Sequence, residues 1–255
     1  MLPFVAATWV YPVKGMHGIA TPNIGLQVEW QLGVKYDRFC AVHRRPGTRY
    51  EGWKPKGQFH VCMNRDGMAL DHGLQEHDLS ALAAGYPASV ESLVDYYLLP
   101  REQSSLWIAD YGSHLCDRDK PYVSFLNLAS VRALSEMVGR TIDPRRFRMN
   151  VWVDGMEPFA EITYITKRHV PEQYPMIVGA LSLGIDDVCE RCRAIEQDPE
   201  TGEWDDSLQA ELGACMQEVG YDHEAMETKP VVMGWYGLPQ ADATIRVGDQ
   251  VRFGS

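Results

Sequence analysis

Apolar and polar positions alternate with a period of two along much of this chain, and short runs of that kind predict strands rather than helices. Residues 8–13 read as a first strand, and residues 26–32 (Leu-Gln-Val-Glu-Trp-Gln-Leu) alternate cleanly. Residues 59–63 form a further short run. Residues 150–155 (Asn-Val-Trp-Val-Asp-Gly) read as a strand entering an Asp-Gly turn, with residues 158–166 as the return strand of that hairpin. Residues 177–185 and 187–197 predict two more strands. The second ends in Asp198-Pro-Glu-Thr-Gly202, where Pro199 presets a turn and Gly202 can take positive φ. The last strand, 245–253, is interrupted by a Gly-Asp turn. Trp9, Trp30, Trp152 and Trp235 fall on strand-like runs and read as core or sheet-face residues.

Helical periodicity is rarer. Residues 89–98 open with a capping serine and stop before Pro100. Residues 130–138 put Val131, Leu134 and Val138 on one side, with Gly139 as the C-cap. Residues 205–219 begin with an acidic turn and close at Gly220. Residues 44–57, rich in Pro, Gly and cations, read as a long loop or β-ribbon. A boundary near residues 117–120 gives two β-rich halves, 1–118 and 119–255. The summed expectation is a mainly β (α+β) protein, barrel-like, with a few covering helices.

Composition narrows the function classes. At 255 residues, with 45% hydrophobic and 23% charged positions, the chain can bury a sizeable core and is not disordered. No apolar run approaches the roughly 20 residues that cross a bilayer. The opening Met1-Leu-Pro-Phe-Val-Ala-Ala-Thr-Trp has no basic leader, so a cytoplasmic location without membrane attachment is expected. A formal net charge of −11 argues against nucleic acid as a default partner, because neutralising phosphates needs a basic surface. It leaves room for a small anionic cofactor held by local cations in a cleft. Six cysteines without an export signal suggest reduced thiols rather than a disulfide framework.

The sharpest local signal is Cys189-Glu-Arg-Cys192. A structural zinc site needs a second ligand pair, and Cys40, Cys62, Cys116 and Cys215 are scattered singly. A thioredoxin-like dithiol opens a helix, whereas the residues here run on to a turn. Two readings remain. One is a single thiolate with a special task, flanked by Arg191 and Arg193, whose charges favour the ionised form. The other is a pair of small core residues on a strand, since unpaired cysteine is among the most buried residue types. A second signal is the set of cations beside turns: Lys14-Gly15, Arg38 after Asp37, and Arg145, Arg146 and Arg148 before Asn150. An anionic group would need such forks and point charges brought together. Asp71-His72 and His77-Asp78 match no metal motif and read as a solvated loop, while Glu157 and Glu161 have the chemistry of acid–base residues.

Six segments, in order, resemble the MOSC family, and within it the branch of the mitochondrial amidoxime-reducing component and its bacterial relatives. Val10-Tyr-Pro-Val-Lys-Gly15 is similar to the family's opening Tyr-Pro-(Val/Ile)-Lys-Ser, and Tyr36-Asp-Arg-Phe39 to its Asp-Arg-(Phe/Trp). Phe125-Leu-Asn-Leu-Ala-Ser-Val-Arg-Ala-Leu134 resembles the segment ending in Ala-Ser-Leu and a helix. Arg146-Phe-Arg-Met-Asn-Val-Trp-Val-Asp-Gly155 with Phe159-Ala-Glu161 resembles Asn-Phe-Arg-Pro-Asn-Ile-Val followed by (Phe/Tyr)-Ala-Glu. The Cys189–Cys192 motif with Asp198–Gly202 resembles Cys-x-Arg-Cys followed by Asp-Pro-x-Thr-Gly, and Ile245-Arg-Val-Gly-Asp-Gln-Val251 resembles the closing Ile-(Lys/Arg)-Val-Gly-Asp-x-Val. The match covers roughly residues 8–42 and 121–255; it does not place residues 44–118.

The resemblance implies a MOSC-type β-barrel, residues 119–255, behind an N-terminal β-rich domain, residues 1–118. It implies a molybdenum cofactor (Mo-molybdopterin) whose metal is held by the thiolate of Cys192. Lys14, Gly15, Arg38, Asn127, Ser130, Arg148, Asn150 and Arg191 would hold the anionic pterin–phosphate portion. A soft thiolate suits such a metal centre, and cations with amides suit a phosphate. The implied activity is reduction of small N-hydroxylated substrates. Electrons would come from a separate ferredoxin- or cytochrome-type protein, because the chain has no four-cysteine cluster spacing of its own. Two departures stand out: Gly15 replaces the usual Ser and removes a hydroxyl donor, and Met149 replaces Pro. An alternative within the family is sulfur transfer, with a persulfide on Cys192 supplied by a partner desulfurase.

Overall fold

The computed structural model describes residues 2–11, 13–14, 18–28, 33–35, 37–38, 40–44, 104–108, 120–166 and 175–254. Strands dominate. β1 (Phe4–Val10), β2 (Val13–Lys14), β3 (Ile19–Thr21), β4 (Asn23–Gln27), β5 (Gly33–Val34), β6 (Cys40–Arg44) and β7 (Ser104–Ile108) come first. Then follow β8 (Val123–Asn127), β9 (Val151–Asp154), β10 (Met176–Val178), β11 (Leu181–Glu190), β12 (Val232–Pro239), β13 (Ala243–Arg246) and β14 (Val251–Phe253). Three α-helices lie among the described residues: α1 (Leu128–Val138), α2 (Ala160–Thr166) and α3 (Leu208–Glu218). Single 3₁₀ turns occupy Pro144–Phe147 and Arg193–Glu196. The mainly β expectation with a few helices is what the chain forms.

The principal sheet has eight strands in the order β14-β10-β11-β12-β8-β9-β1-β3. All neighbouring pairs are antiparallel except β8 and β9, which are parallel and joined through α1, the crossover that a parallel pair requires. Among the described residues the ladder does not close into a ring. Its two ends are nevertheless drawn together by an isolated bridge between Phe4 and Gln250. Backbone bonds from Val5 N to Asp249 O and from Val251 N to Pro3 O, each 2.8 Å, reinforce that seam. Two three-stranded sheets, β13-β4-β5 and β2-β6-β7, complete the architecture. Strands from both expected halves share sheets: β1 lies beside β9, and β4 beside β13.

The inward residues of β8, β9 and β12 form the centre of the core. All five positions of β8 are buried, as expected for a strand covered on both faces. Phe125 stacks on Trp235 at 5.3 Å between ring centroids. Gly234 has φ +78, and a Cβ there would land on the Phe125 carbonyl oxygen, so only glycine lets β12 approach β8 so closely.

Several local expectations need correcting. Residues 158–166 form the helix α2, not the return strand of a hairpin, and β9 pairs with β8 and β1 instead. The reason is tertiary: Phe159, at φ +57, donates its amide to the Ser130 hydroxyl, and Glu161 is drawn under α1. The hairpin falls one unit later, where β10 and β11 turn at Gly179, φ +58. Residues 187–197 split between the end of β11 and the 3₁₀ turn at Arg193–Glu196. The last strand divides into β13 and β14, which belong to different sheets. α1 starts earlier than expected because Asn127 is the N-cap, and it ends at Gly139 with φ 74 as expected. α3 is shorter than the run 205–219 and lies within it. The expected strand at 59–63, the helix at 89–98, the ribbon beyond Arg44 and the Asp71–Asp78 cluster lie outside the described residues.

Candidate functional site

β1 and β9 run antiparallel with Thr8 opposite Val151, which puts the residue that follows β1, Tyr11, beside the segment leading into β9. That segment carries Arg145, Arg146 and Arg148 on and just after the 3₁₀ turn Pro144–Phe147. Asn150 locks the junction. Its side chain donates to Trp9 O at 3.1 Å and accepts from the Ser124 hydroxyl at 2.7 Å, tying β1, β8 and β9 together. It is buried and committed to the strands.

Tyr11 is a hub. Its amide donates to Asp37 Oδ1 at 2.7 Å, and its carbonyl accepts from the Arg38 amide at 2.7 Å. Arg38 pairs with Asp37 and donates from Nη2 to Arg148 O at 3.3 Å. The Arg148 guanidinium lies 4.6 Å from the centroid of the Tyr11 ring and that of Arg38 lies 5.6 Å from it. Both arginines sit in the left-handed region, with φ 48 at Arg38 and φ 52 at Arg148, a conformation sparsely used by long side chains and concentrated at functional sites. Arg191 joins from the end of β11, donating from Nη2 to Phe147 O at 2.8 Å and from Nη1 to the Met149 sulfur.

Charge crowding leaves a mark on these groups. Burial, aided by repulsion from Arg38 and Arg191, pushes Arg148 down to about 10 from its ordinary 12.5. It still carries its proton at neutral pH. Burial pushes the Tyr11 hydroxyl well above the usual phenol range, so it stays neutral beside the guanidinium groups. Three arginines within electrostatic reach of one another, with Asp37 as the acidic partner, make a cationic pocket inside a chain of net charge −11.

Next to this cluster is a cleft, open to solvent, whose lining includes Trp9, Tyr11, Arg146, Arg148, Gln197 and Pro199. Arg146 braces its far wall, donating to Ile195 O at 3.2 Å and Glu196 O at 3.1 Å and pairing with Asp198 at 2.7 Å. The turn after it is held by Asp198, whose Oδ1 accepts from the amides of Glu200 and Thr201, and Gly202 has the expected positive φ of 74. Among the described residues, buried polar atoms of the lining without a hydrogen-bond partner include Trp9 Nε1, Arg146 Nε and Gln197 Oε1. Arg191, which reaches Phe147 O, carries another such atom at Nε. Buried polar groups are nearly always satisfied, so several orphans around one cleft mark a place built for a polar ligand.

Cys192 stands at the head of the 3₁₀ turn Arg193–Glu196, exposed, and its thiol makes no capping bond. Its carbonyl accepts from Ile195 N at 3.3 Å, the first bond of that turn. Cys189 is fully buried on β11. Arg193 turns away, pairing with Glu196 at 2.7 Å and Asp206 at 2.9 Å.

Among the residues singled out from the sequence, Arg38, Arg148 and Arg191 come together at the segment after the Pro144–Phe147 turn, and Arg148 lines the cleft; Cys192 is exposed two residues before the lining residue Ala194. Lys14 lies on β2 beside Ala41 of β6, and Gly15 is outside the described residues. Asn127, three positions further along the β8–β9 pair than Asn150, and Ser130, on α1, are fully buried; Asn127 Nδ2 donates to Glu161 at 2.9 Å and Ser130 Oγ donates to it at 2.8 Å. Burial pushes Glu161 above the usual carboxylate range, and Glu157 is exposed. Sequence reasoning did not single out Tyr11, Asp37, Trp9 or Gln197 as site residues. Tyr11 and Asp37 lie inside the two quoted N-terminal motifs and were findable there; Trp9 and Gln197 carried no signal of chemistry.

The fold and the site together define a mainly β protein with a buried cationic cluster beside a cleft, and an exposed thiol two residues before the lining residue Ala194. The chain belongs to the MOSC domain family, whose model matches residues 111–252, more than half its length. No curated protein matches the chain. Among solved structures, the YuaD protein from Bacillus subtilis aligns over 100% of this chain and 97% of that one, at 10% identity and a TM-score of 0.44. YiiM from Geobacillus stearothermophilus aligns over 52% of this chain and 54% of that one, at 12% identity and a TM-score of 0.33. MOSC domains are associated with binding of the molybdenum cofactor. No helix among the described residues is long and apolar enough to cross a membrane.

Proposed function

We propose that the chain binds the molybdenum cofactor and acts as an oxidoreductase on small N-hydroxylated substrates, with Cys192 as the protein ligand to the metal. The observation that carries this reading is the set of orphaned buried polar atoms around a cationic cleft, with an uncommitted exposed thiol two residues from the lining residue Ala194. The residues fit the group. Arg38, Arg148 and Arg191 suit its anionic end, and the free polar atoms of Trp9, Arg146 and Gln197 suit the donors and acceptors of a pterin. A thiolate suits a soft metal.

When bound, the cofactor supplies a two-electron centre able to take oxygen from an N–O bond. The chain's own part is to hold and shield. Arg146 and Asp198 fix the wall that follows Cys192, and Arg191 is pinned to Phe147 O, so the anion-binding charges are set before any ligand arrives. Electrons would come from a separate ferredoxin- or cytochrome-type protein.

The test is molybdenum by elemental analysis on protein expressed with cofactor supply, comparing wild type with Cys192→Ala. Near-stoichiometric metal in wild type and a large loss in the variant are expected. Because Cys192 is exposed and caps through its backbone, the melting temperature should barely move. Loaded protein should then reduce a benzamidoxime with an artificial electron donor. Wild type that folds but carries no metal overturns the reading and directs attention to a persulfide on Cys192.

A further inference from the structure

Two buried or half-buried arginines share one aromatic ring in this site, and nothing so far accounts for the ring. Guanidinium groups of like charge repel, yet Arg38 spends Nη2 on the carbonyl of Arg148, which brings the two residues together. Both hold left-handed backbones to do so. The group they have in common is Tyr11, 5.6 Å from one guanidinium carbon and 4.6 Å from the other. The electron-rich face of an aromatic ring attracts cations, and more strongly where water is excluded.

Tyr11 is itself held on every side. Asp37 takes its amide, Arg38 takes its carbonyl, and Gly18 packs so close that a Cβ there would stand 2.5 Å from the ring. The hydroxyl, by contrast, does little: its contact with Met149 O is 3.5 Å, at the limit of a hydrogen bond. The ring rather than the phenol is what the surroundings preserve.

We propose that Tyr11 is a positioning residue for an oxyanion of phosphate or pyrophosphate type, its ring serving as the spacer that seats Arg38 and Arg148 side by side against one anionic group. The proposal rests on the reading of this cluster as an anion site. Tyr11 acts through the arginines and does not itself touch the anion.

The experiment is calorimetric titration of the full, metal-free chain with pyrophosphate, for wild type, Tyr11→Phe, Tyr11→Leu and Gly18→Ala. Tyr11→Phe keeps the ring and should bind within about twofold of wild type. Tyr11→Leu keeps apolar volume but loses the ring, and binding should weaken about tenfold or more. Gly18→Ala leaves the ring chemistry intact but must displace it, so it too should bind more weakly; it stands in if Tyr11→Leu does not fold. A cooperative thermal transition in Tyr11→Leu like that of wild type, measured beside the titration, separates loss of the ring from loss of the fold.

Equal affinity in Tyr11→Leu and wild type overturns the proposal, as does a Tyr11→Phe protein as weak as Tyr11→Leu. Molybdenum content of the same variants, expressed with cofactor supply, separates the two levels. Loss of pyrophosphate binding in Tyr11→Leu supports the role of the ring even if wild type carries no metal. Wild type that takes up neither pyrophosphate nor cofactor overturns both the anion site and the spacer.

Discussion

Arg148 carries a cost of burial that a bound anion would offset. A base whose folded pKa is pushed down to about 10 from 12.5 is held in its charged form against its surroundings. The penalty is on the order of 3 kcal/mol, is fully present below pH 10, and fades as pH rises from about 10 towards 12.5. Arg148→Met should therefore raise the melting temperature of the ligand-free protein at pH 7 while weakening oxyanion binding at least tenfold. Thermal unfolding and sulfate titration check the two halves, and a variant that loses both stability and binding would contradict the argument. Because sulfate does not titrate in this range, its affinity for wild type should stay flat from pH 6 to 9 and fall above about pH 10. At this scale the sequence was generous with the cations and with Cys192, which stood in recognisable strings. It was silent on Trp9 and Gln197, because an orphaned donor or acceptor is defined by what surrounds it. Within Cys189-Glu-Arg-Cys192 the resemblance singled out Cys192, while composition alone did not tell that one sulfur is buried on β11 and the other exposed beyond its end.

Elements in this molecule are placed by a few buried polar contacts as much as by pattern. The start of α1 and the start of α2 meet over Glu161, which accepts from Asn127 Nδ2 and Ser130 Oγ while Asn127 Oδ1 caps α1 by accepting from Ala129 N. Burial raises the Glu161 carboxyl, so the folded state holds its proton more tightly than the unfolded chain does. Its contribution to stability is thus fully present below the ordinary carboxylate pKa and is lost as pH rises through the raised one. Glu161→Gln should remove that loss: urea midpoints of wild type and variant should differ more at pH 7.5 than at pH 5, with the variant the more stable at pH 7.5. The same contacts explain why residues 158–166 deceived a reading by periodicity. Their apolar alternation suits a strand, but Phe159 is tied to Ser130 and Glu161 is drawn under α1, which winds the segment into a helix. Gly139 and Gly202, whose turns depend only on local φ, were legible without any such knowledge.

For the molecule as a whole, the mainly β character could be read from the chain, but not the partnership of strands distant in sequence. The boundary near residues 117–120 looked like a division between domains, yet β1 sits between β9 and β3 in the principal sheet. Removing it would leave β9 an unpaired edge and strip Tyr11 and Asp37 from the site. A fragment of residues 119–255 expressed alone should show no cooperative unfolding transition by circular dichroism and no oxyanion binding. A fragment that melts cooperatively would mean that the principal sheet holds without β1.

The seam between Pro3–Val5 and Asp249–Val251 also sets a timetable for the newborn chain. Synthesis at about 5–20 residues per second leaves the earliest strand waiting on the order of tens of seconds for its last neighbours to emerge from the ribosome. Until then Phe4 and Val5 have no partners at the seam, and the fold depends on contacts of long sequence separation, which form slowly. A nascent chain of this kind presents an open sheet margin to whatever is nearby, which makes it a natural client for chaperones that bind exposed apolar strands.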